Sequence, residues 1–327
     1  MDRNLALNLV RVTEAAALSS ARYLGRGDKI AADQAAVDGM RNMFDTLNID
    51  GVVVIGEGEM DEAPMLYIGE EIGKGKKNSI AVDIAVDPLD GTTAVAKGLP
   101  NAIAVVAIAP RGCLLHAPDM YMDKIAVGPK AAGTINLEAS VEENINAVAK
   151  ALNKDIRDIT VTMLDRPRHD DLIKQVRDTG ARIKLFRDGD VAAAIATCFD
   201  DSGIDILMGI GGAPEGVIAA AALKCMGGEF QGKLMPGIYN KKSEEIERCH
   251  NMGIDEVGKV LTMEDLAKGN EIFFAATGIS DGDLLKGVVY HENNTAKTYS
   301  MVTRSETGTI RFVEAVHKLD KKPEYAK

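Results

Sequence analysis

The sequence predicts a mixed α/β protein in two halves: an α+β half over residues 1–139 and an α/β half over residues 140–327. Three observations predict it. Apolar residues recur every three to four positions in two early stretches, and short apolar runs of strand length follow them. From Ser140 onward, helical and strand patterns alternate, as a largely parallel sheet with crossover helices requires. The chain of 327 residues is long enough for two packed regions, and it shows no internal repeat or low-complexity linker.

The elements follow in order. Leu5 to Leu24 reads as a long helix ended by Gly25 and Gly27, and a second helix runs from about Ala31 to Leu47. Val52–Ile55 and Ile80–Ala85 read as strands, Met65–Ile72 as a short helix between them, and residues 73–78 as an exposed turn. Ala102–Ala109, Gly112–His116 and Ile125–Val127 read as strands of an antiparallel or mixed sheet. In the second half the helices are Val141–Leu152, His169–Asp178, Val191–Phe199 and Pro214–Met226. They alternate with strands at Ile159–Leu164, Arg182–Phe186 and Ile204–Gly209. The tail predicts strands at Glu229–Met235, Glu271–Ala276, Leu284–Tyr290, Thr298–Arg304 and Thr309–His317. Helices are expected there at Lys241–Asn251 and Met263–Leu266, and a frayed end from Lys321.

Composition narrows the function. Hydrophobic residues make up 46% and charged residues 27%, an ordinary soluble balance, and no apolar run approaches a membrane span. The N-terminus has no secretory pattern. A net charge of −11, no Trp and 4% aromatics disfavour nucleic-acid binding. Four scattered cysteines form no C-x-x-C pair, which suits a reduced, cytoplasmic protein, and the five histidines show no zinc-ligand spacing.

The chemistry concentrates at Val86-Asp87-Pro88-Leu89-Asp90-Gly91-Thr92-Thr93. Two carboxylates sit three residues apart around a Pro, before a Gly that permits a sharp turn and a Thr pair at a helix start. Clustered carboxylates suit hard divalent cations, and a helix start suits phosphate. The same pattern also describes a plain capped turn. A second strand, Val52–Ile55, ends in Gly56-Glu57-Gly58-Glu59-Met60-Asp61, whose acids alternate onto one face if the backbone is extended. Like charges so crowded call for a cation or a proton.

At the carboxyl ends of the later strands stand Arg166-Pro167-Arg168, Asp188-Gly189-Asp190, and Gly212 with Glu215, where open α/β sheets bind ligands. Two guanidinium groups suit a phosphate dianion, although loop arginines are also commonly solvated. Asp188 and Asp190 either accept sugar hydroxyls or cap the following helix. Glu215 after Pro214 is equally routine helix-start chemistry. Asp33 falls in the first turn of its helix, where the dipole alone favours an acid. The Gly209–Pro214 run lacks the third glycine of a dinucleotide loop.

Several runs together make a family resemblance. They are Gly25-Arg26-Gly27-Asp28-Lys29 with Asp33, Ile55-Gly56-Glu57-Gly58-Glu59, Asp61-Glu62-Ala63-Pro64-Met65-Leu66-Tyr67, and Ala117-Pro118-Asp119-Met120-Tyr121-Met122. Later come Pro167-Arg168-His169-Asp170, Asp188-Gly189-Asp190-Val191-Ala192 and Gly209-Ile210-Gly211-Gly212-Ala213-Pro214-Glu215-Gly216. In this order they resemble the class II fructose-1,6-bisphosphatases of bacteria. The Asp87-to-Thr92 turn resembles the signature of the wider lithium-sensitive, metal-dependent phosphatase superfamily.

The resemblance implies a sugar-phosphatase fold, a layered α-β-α-β-α sandwich. It also implies hydrolysis of the 1-phosphate of fructose 1,6-bisphosphate by metal-activated water, a gluconeogenic step. Asp33, Glu57, Asp87, Asp90 and Glu215 become ligands of Mn²⁺ or Mg²⁺. Asp61, Thr92 and Lys29 become catalytic. Asp90, Gly91, Thr92, Tyr121, Arg166, Pro167, Arg168, Asp188, Gly189, Asp190 and Gly212 contact the substrate. The implied partner is a small sugar bisphosphate, with no nucleic acid and no membrane, and the chain is a homo-oligomer (dimer or tetramer).

Two departures bear on specificity. Position 90 is Asp where some members carry Glu, and position 166 is Arg where others carry Lys. Sedoheptulose 1,7-bisphosphate is a second substrate in some relatives. An inositol monophosphatase, a nucleotide bisphosphate phosphatase and a noncatalytic cation-binding protein stay open as alternatives.

Overall fold

A computed structural model describes residues 1, 4–58, 65–75, 79–238 and 240–327. The chain divides into two compact units, one made of Met1–Leu114 with Gly269–Lys327 and the other of Leu115–Lys268. These bounds differ from a division at residues 139 and 140. The C-terminal strands return to the first unit because one of them pairs with a strand from its middle.

In the first unit, α1 (Leu5–Ser20) and α2 (Lys29–Phe44) bury Leu9, Val12, Ala16, Ala36, Met40 and Phe44. They approach closely at Gly39, where a Cβ would lie 2.7 Å from the Ala15 carbonyl oxygen. Asp28 starts α2 two residues before the apolar pattern does, accepting a hydrogen bond from the Ala31 N–H at 3.0 Å. β1 (Ile49–Ile55), β2 (Glu71–Ile72), β3 (Ile80–Asp90), α3 (Thr92–Lys97) and β4 (Ile103–Pro110) follow.

The expected helix at 65–72 is not formed. Leu66 and Gly69 have φ of +55° and +93°, and residues 71–72 pair antiparallel with β1 instead. The expected strand at 112–116 is also absent as a strand. The Cys113 and Leu114 N–H groups donate to the buried Asp83 carboxylate at 2.8 and 3.1 Å, so they are not available to a ladder.

The second unit holds β5 (Tyr121–Val127), α4 (Val141–Leu152), β6 (Thr160–Leu164), α5 (Asp170–Thr179), β7 (Arg182–Phe186), α6 (Asp190–Ala196) and β8 (Ile206–Gly212). It continues with α7 (Ala213–Met226), β9 (Glu229–Leu234), α8 (Lys242–Asn251), β10 (Val260–Leu261) and α9 (Met263–Leu266). The sheet order is β10-β9-β5-β8-β6-β7. Only β7, β6 and β8 run parallel; β5, β9 and β10 are antiparallel additions, so this sheet is mixed where a largely parallel one was expected. Ile125, Val127, Val161, Met163, Ile206 and Met208 pack with Ile145, Val148, Ile173 and Val176 of α4 and α5. On β5, Met122 and Lys124 face α7 instead, where a Cβ at Gly216 would meet the Met122 sulfur at 2.7 Å.

The chain returns to the first unit as β11 (Phe273–Gly278), β12 (Val289–His291), β13 (Thr295–Arg304) and β14 (Thr309–Lys318). Its sheet runs β12-β13-β11-β4-β3-β1-β2, with β14 on β13; β1 and β3 are parallel and the other pairs antiparallel. Of the expected strand at 284–290, only its end joins the sheet. Two mixed sheets with helices against them are the α+β and α/β organisation that the sequence predicts. Among the described residues, no helix is long and apolar enough to cross a membrane.

Candidate functional site

Each unit gathers its predicted residues at one edge of its own sheet. In the first unit, β1 and β3 are parallel neighbours, so Gly56-Glu57 and Asp87–Asp90 leave the same edge. Both strands bulge near that edge. Val54 is an extra residue between Val53 and Ile55 against β3, and the register of β3 against β4 slips between Asp87 and Asp90. Residues three apart on a regular strand point to opposite faces; one extra residue changes that phase between the two aspartates. Pro88, which has no N–H to donate, sits in the irregular step. The strand therefore persists through the expected turn to Asp90, and the turn comes at Gly91.

Gly91, at φ +109°, caps α3 at its N-terminal side, with Thr92 as the first helical residue. Asp87 Oδ1 accepts from the Leu89 N–H at 3.0 Å, and Asp90 is 6% exposed. The Gly25–Asp28 loop lies against α3, with the Gly25 and Gly27 N–H groups donating to the Val95 and Ala96 carbonyls at 2.8 and 2.9 Å. That docking brings Lys29 to the helix start, where Nζ donates to Thr93 Oγ1 at 2.7 Å. Asp33 is the fifth residue of α2, beyond the first turn, so helix-dipole stabilisation is a weak reason for an acid there. Burial pushes its carboxyl above the ordinary carboxylate range.

Glu57 is held through its backbone, donating its N–H to the Leu66 carbonyl at 3.0 Å. A Cβ on Gly56 would lie 1.9 Å from that same oxygen, so only glycine allows this approach. Leu66 is pinned in turn by the Glu70 carboxylate, which accepts from its N–H and from Arg41 Nε. Glu59 and Asp61 lie outside the described residues, and with them the expected alternation of acids and the catalytic role given to Asp61.

In the second unit, β6, β7 and β8 are parallel, and their C-terminal ends carry Arg166–Arg168, Asp188–Asp190 and Gly212–Glu215 on one edge. β5 runs antiparallel to β8 with Tyr121 opposite Gly212, which adds Tyr121 to that edge. The side chains engage one another. Arg166 Nη2 donates to Asp188 Oδ1 at 3.1 Å. Arg168 donates from Nε and Nη2 to the Ile210 carbonyl at 3.0 and 2.7 Å and stacks over the Tyr121 ring at 4.5 Å. His169 is buried and accepts from the Ile210 N–H at Nε2, so Nδ1 carries the proton donated to the Leu164 carbonyl. This histidine ties the arginine loop to β8.

Glu215 stands in the first turn of α7, and its Oε2 is buried with no hydrogen-bond partner among the described residues. Burial pushes its carboxyl up; the Lys124 charge opposes that shift and Asp190 adds to it. Gly212 leaves room for that carboxylate, since a Cβ would sit 1.9 Å from Glu215 Oε2. Sequence reasoning missed Lys124, which is 3% exposed and donates from Nζ to Asp190 Oδ2 at 2.7 Å. Apolar Met122 and Ala126, two residues to either side and so on the same strand face, were the available signal, but only the fold says what the lysine meets. Among the described residues, no three His, Cys, Asp or Glu are already arranged to hold a metal ion. Glu215 Oε2 is nonetheless a buried acceptor of the kind a hard cation completes.

Acid-tipped strands beside a hydroxyl-bearing helix start, and arginines at the ends of parallel strands, serve phosphoryl chemistry, and the class so defined is a phosphatase. The chain belongs to the family described as bacterial fructose-1,6-bisphosphatase, glpX-encoded, whose model matches residues 3–317. It is 49% identical to fructose-1,6-bisphosphatase 1 class 2 of Escherichia coli (strain K12), over 98% of this chain and 97% of that protein. The same identity and coverage hold for the fructose-1,6-bisphosphatase class 2 of Escherichia coli O6:H1 and of Shigella flexneri.

Proposed function

We propose that this protein hydrolyses the 1-phosphate of fructose 1,6-bisphosphate, yielding fructose 6-phosphate and phosphate, in the presence of Mn²⁺ or Mg²⁺. The observation that carries the reading is the acid-bearing edge of the first unit, where Glu57, Asp87 and Asp90 leave neighbouring bulged strands. Family membership supplies the substrate.

Asp33, Glu57, Asp87, Asp90 and Glu215 hold divalent cations in this reading. When bound, the cations neutralise phosphate charge and acidify water, which monoester hydrolysis demands. Thr92 and Asp61 orient the attacking water: the Thr hydroxyl fixes one lone pair and the carboxylate takes the proton. Lys29, already at Thr93, steadies a phosphoryl oxygen. Arg166 and Arg168, on the loop stiffened by Pro167, take the distal phosphate, and Tyr121, Asp188 and Asp190 select the sugar hydroxyls. Gly91, Gly189 and Gly212 keep the backbone open to the ligand. A cytoplasmic homo-oligomer completes the proposal.

The test is phosphate release from a panel of sugar, inositol and nucleotide phosphates, with sedoheptulose 1,7-bisphosphate included. Turnover of fructose 1,6-bisphosphate that falls to background on chelation and returns with Mn²⁺ is expected. Glu57→Ala, Asp61→Ala and Glu215→Gln are expected to lose at least a hundredfold while staying folded. Full turnover in a chelated sample overturns the reading.

A further inference from the structure

We propose that Lys124 is a positioning residue of this enzyme: its buried ammonium aims the Asp190 carboxylate at the sugar and so sets substrate affinity. The inference rests on the function proposed above and adds a residue to it. Lys124 lies in the middle of β5, opposite Gly209 of β8 and Gly232 of β9. Its stem runs toward α7 past glycine, since a Cβ on Gly216 would stand 3.5 Å from Cε. The ammonium reaches Asp190, the first residue of α6, at 2.7 Å, and the two side chains are 3% and 13% exposed.

A Cβ on Gly211 would stand 1.8 Å from Asp190 Oδ2 and 3.0 Å from Lys124 Nζ. The strand end is thus kept bare where the ion pair lies over it. A buried, hydrogen-bonded pair fixes geometry more firmly than it adds stability, because desolvation consumes most of the Coulombic gain. Asp190 spends one oxygen on Lys124 in a short charge-assisted bond, which orients the other. Lys124 itself is too buried to meet a sugar, so its effect passes through Asp190. Its charge also lies beside Glu215, where it opposes the cost of burying that carboxylate.

The experiment is steady-state kinetics on fructose 1,6-bisphosphate with saturating Mn²⁺, using Lys124→Gln, Asp190→Asn, the double variant and Gly211→Ala. Lys124→Gln is expected to raise KM at least tenfold and to lower kcat less than threefold. The double variant is expected to match Asp190→Asn, because one orientation is lost only once. Gly211→Ala puts a methyl group where the Asp190 oxygen lies, keeps the ammonium, and is expected to raise KM similarly. It decides the matter should Lys124→Gln not fold. An unchanged KM in a folded Lys124→Gln, or in Gly211→Ala, overturns the inference, as does a double variant whose effects multiply. Wild-type protein without turnover on any panel member instead overturns the function on which the inference rests.

Discussion

At the scale of single residues, three side chains meet where α1 crosses β13 and β14. Thr298 Oγ1 donates to Glu14 Oε1 at 3.0 Å and lies 2.7 Å from His317 Nε2. With its one proton given to Glu14, the hydroxyl accepts from the imidazole, whose Nε2 therefore carries a proton. Burial first and Lys322 second push His317 down to about 4. Burial pushes Glu14 up, against Lys322, the Thr298 hydrogen bond and Arg11. Below its ordinary pKa the unfolded histidine takes a proton that the folded one refuses, so His317 removes stability as pH falls from about 6.5 to about 4. Glu14 acts oppositely, holding its proton longer in the folded state, so its contribution is lost as pH rises above 4.5. His317→Gln is therefore expected to gain stability relative to the wild type as pH falls through that window, by at most about 1.4 kcal/mol per pH unit, with Tm rising in step. Thermal denaturation of both proteins across the window measures it; parallel curves contradict the assignment.

At the scale of elements, the loop between β1 and β2 shows where sequence patterns stop. The strand before Glu57 was plain from its apolar run, but residues 65–70 resemble a helix in composition. What shapes them is a distant pair: Arg41 from α2 and Glu70, with side chains 18% and 10% exposed and Nε and Oε1 2.6 Å apart. Glu70→Ala leaves the guanidinium half-buried with Asp45 as its remaining ion-pair partner among the described residues, and it frees Leu66. It is expected to cost about 3 kcal/mol in urea-denaturation stability, and, with Glu57 a metal ligand as proposed, to reduce turnover because the Leu66 carbonyl no longer places it. Loss of less than about 0.5 kcal/mol would place the pair among ordinary surface bridges. The bulges at the ends of β1 and β3 teach the same lesson. Pro88 marks an irregularity in the sequence, but whether it gives a turn or a bulged strand is decided by β4 alongside.

At the scale of the whole molecule, the chain order and the packing order differ. β11 lies between β4 and β13, so the tail read as an extension of the C-terminal half completes the first sheet instead. The second unit is an insertion whose ends meet, with the Leu115 N–H donating to the Leu266 carbonyl at 3.0 Å. A fragment of residues 115–268 is accordingly expected to fold alone, with a single cooperative thermal transition and native-like far-UV circular dichroism. A fragment of residues 140–327 carries β11, β13 and β14 without β4 and is expected to aggregate. A soluble, cooperative fragment of residues 140–327 would contradict the division.

By itself, the sequence determined the mixed α/β class, most element positions, the family, and which acids, arginines and glycines to watch. These are local or linear properties: apolar period, capping chemistry and ordered runs survive being read one residue at a time. Only the tertiary structure decided that the C-terminal strands close the first sheet, that β5 and β9 turn the second sheet mixed, and that Lys124 lies under Asp190. Each of those facts is a pairing between residues remote in the chain. Register and burial, rather than composition, choose such partners.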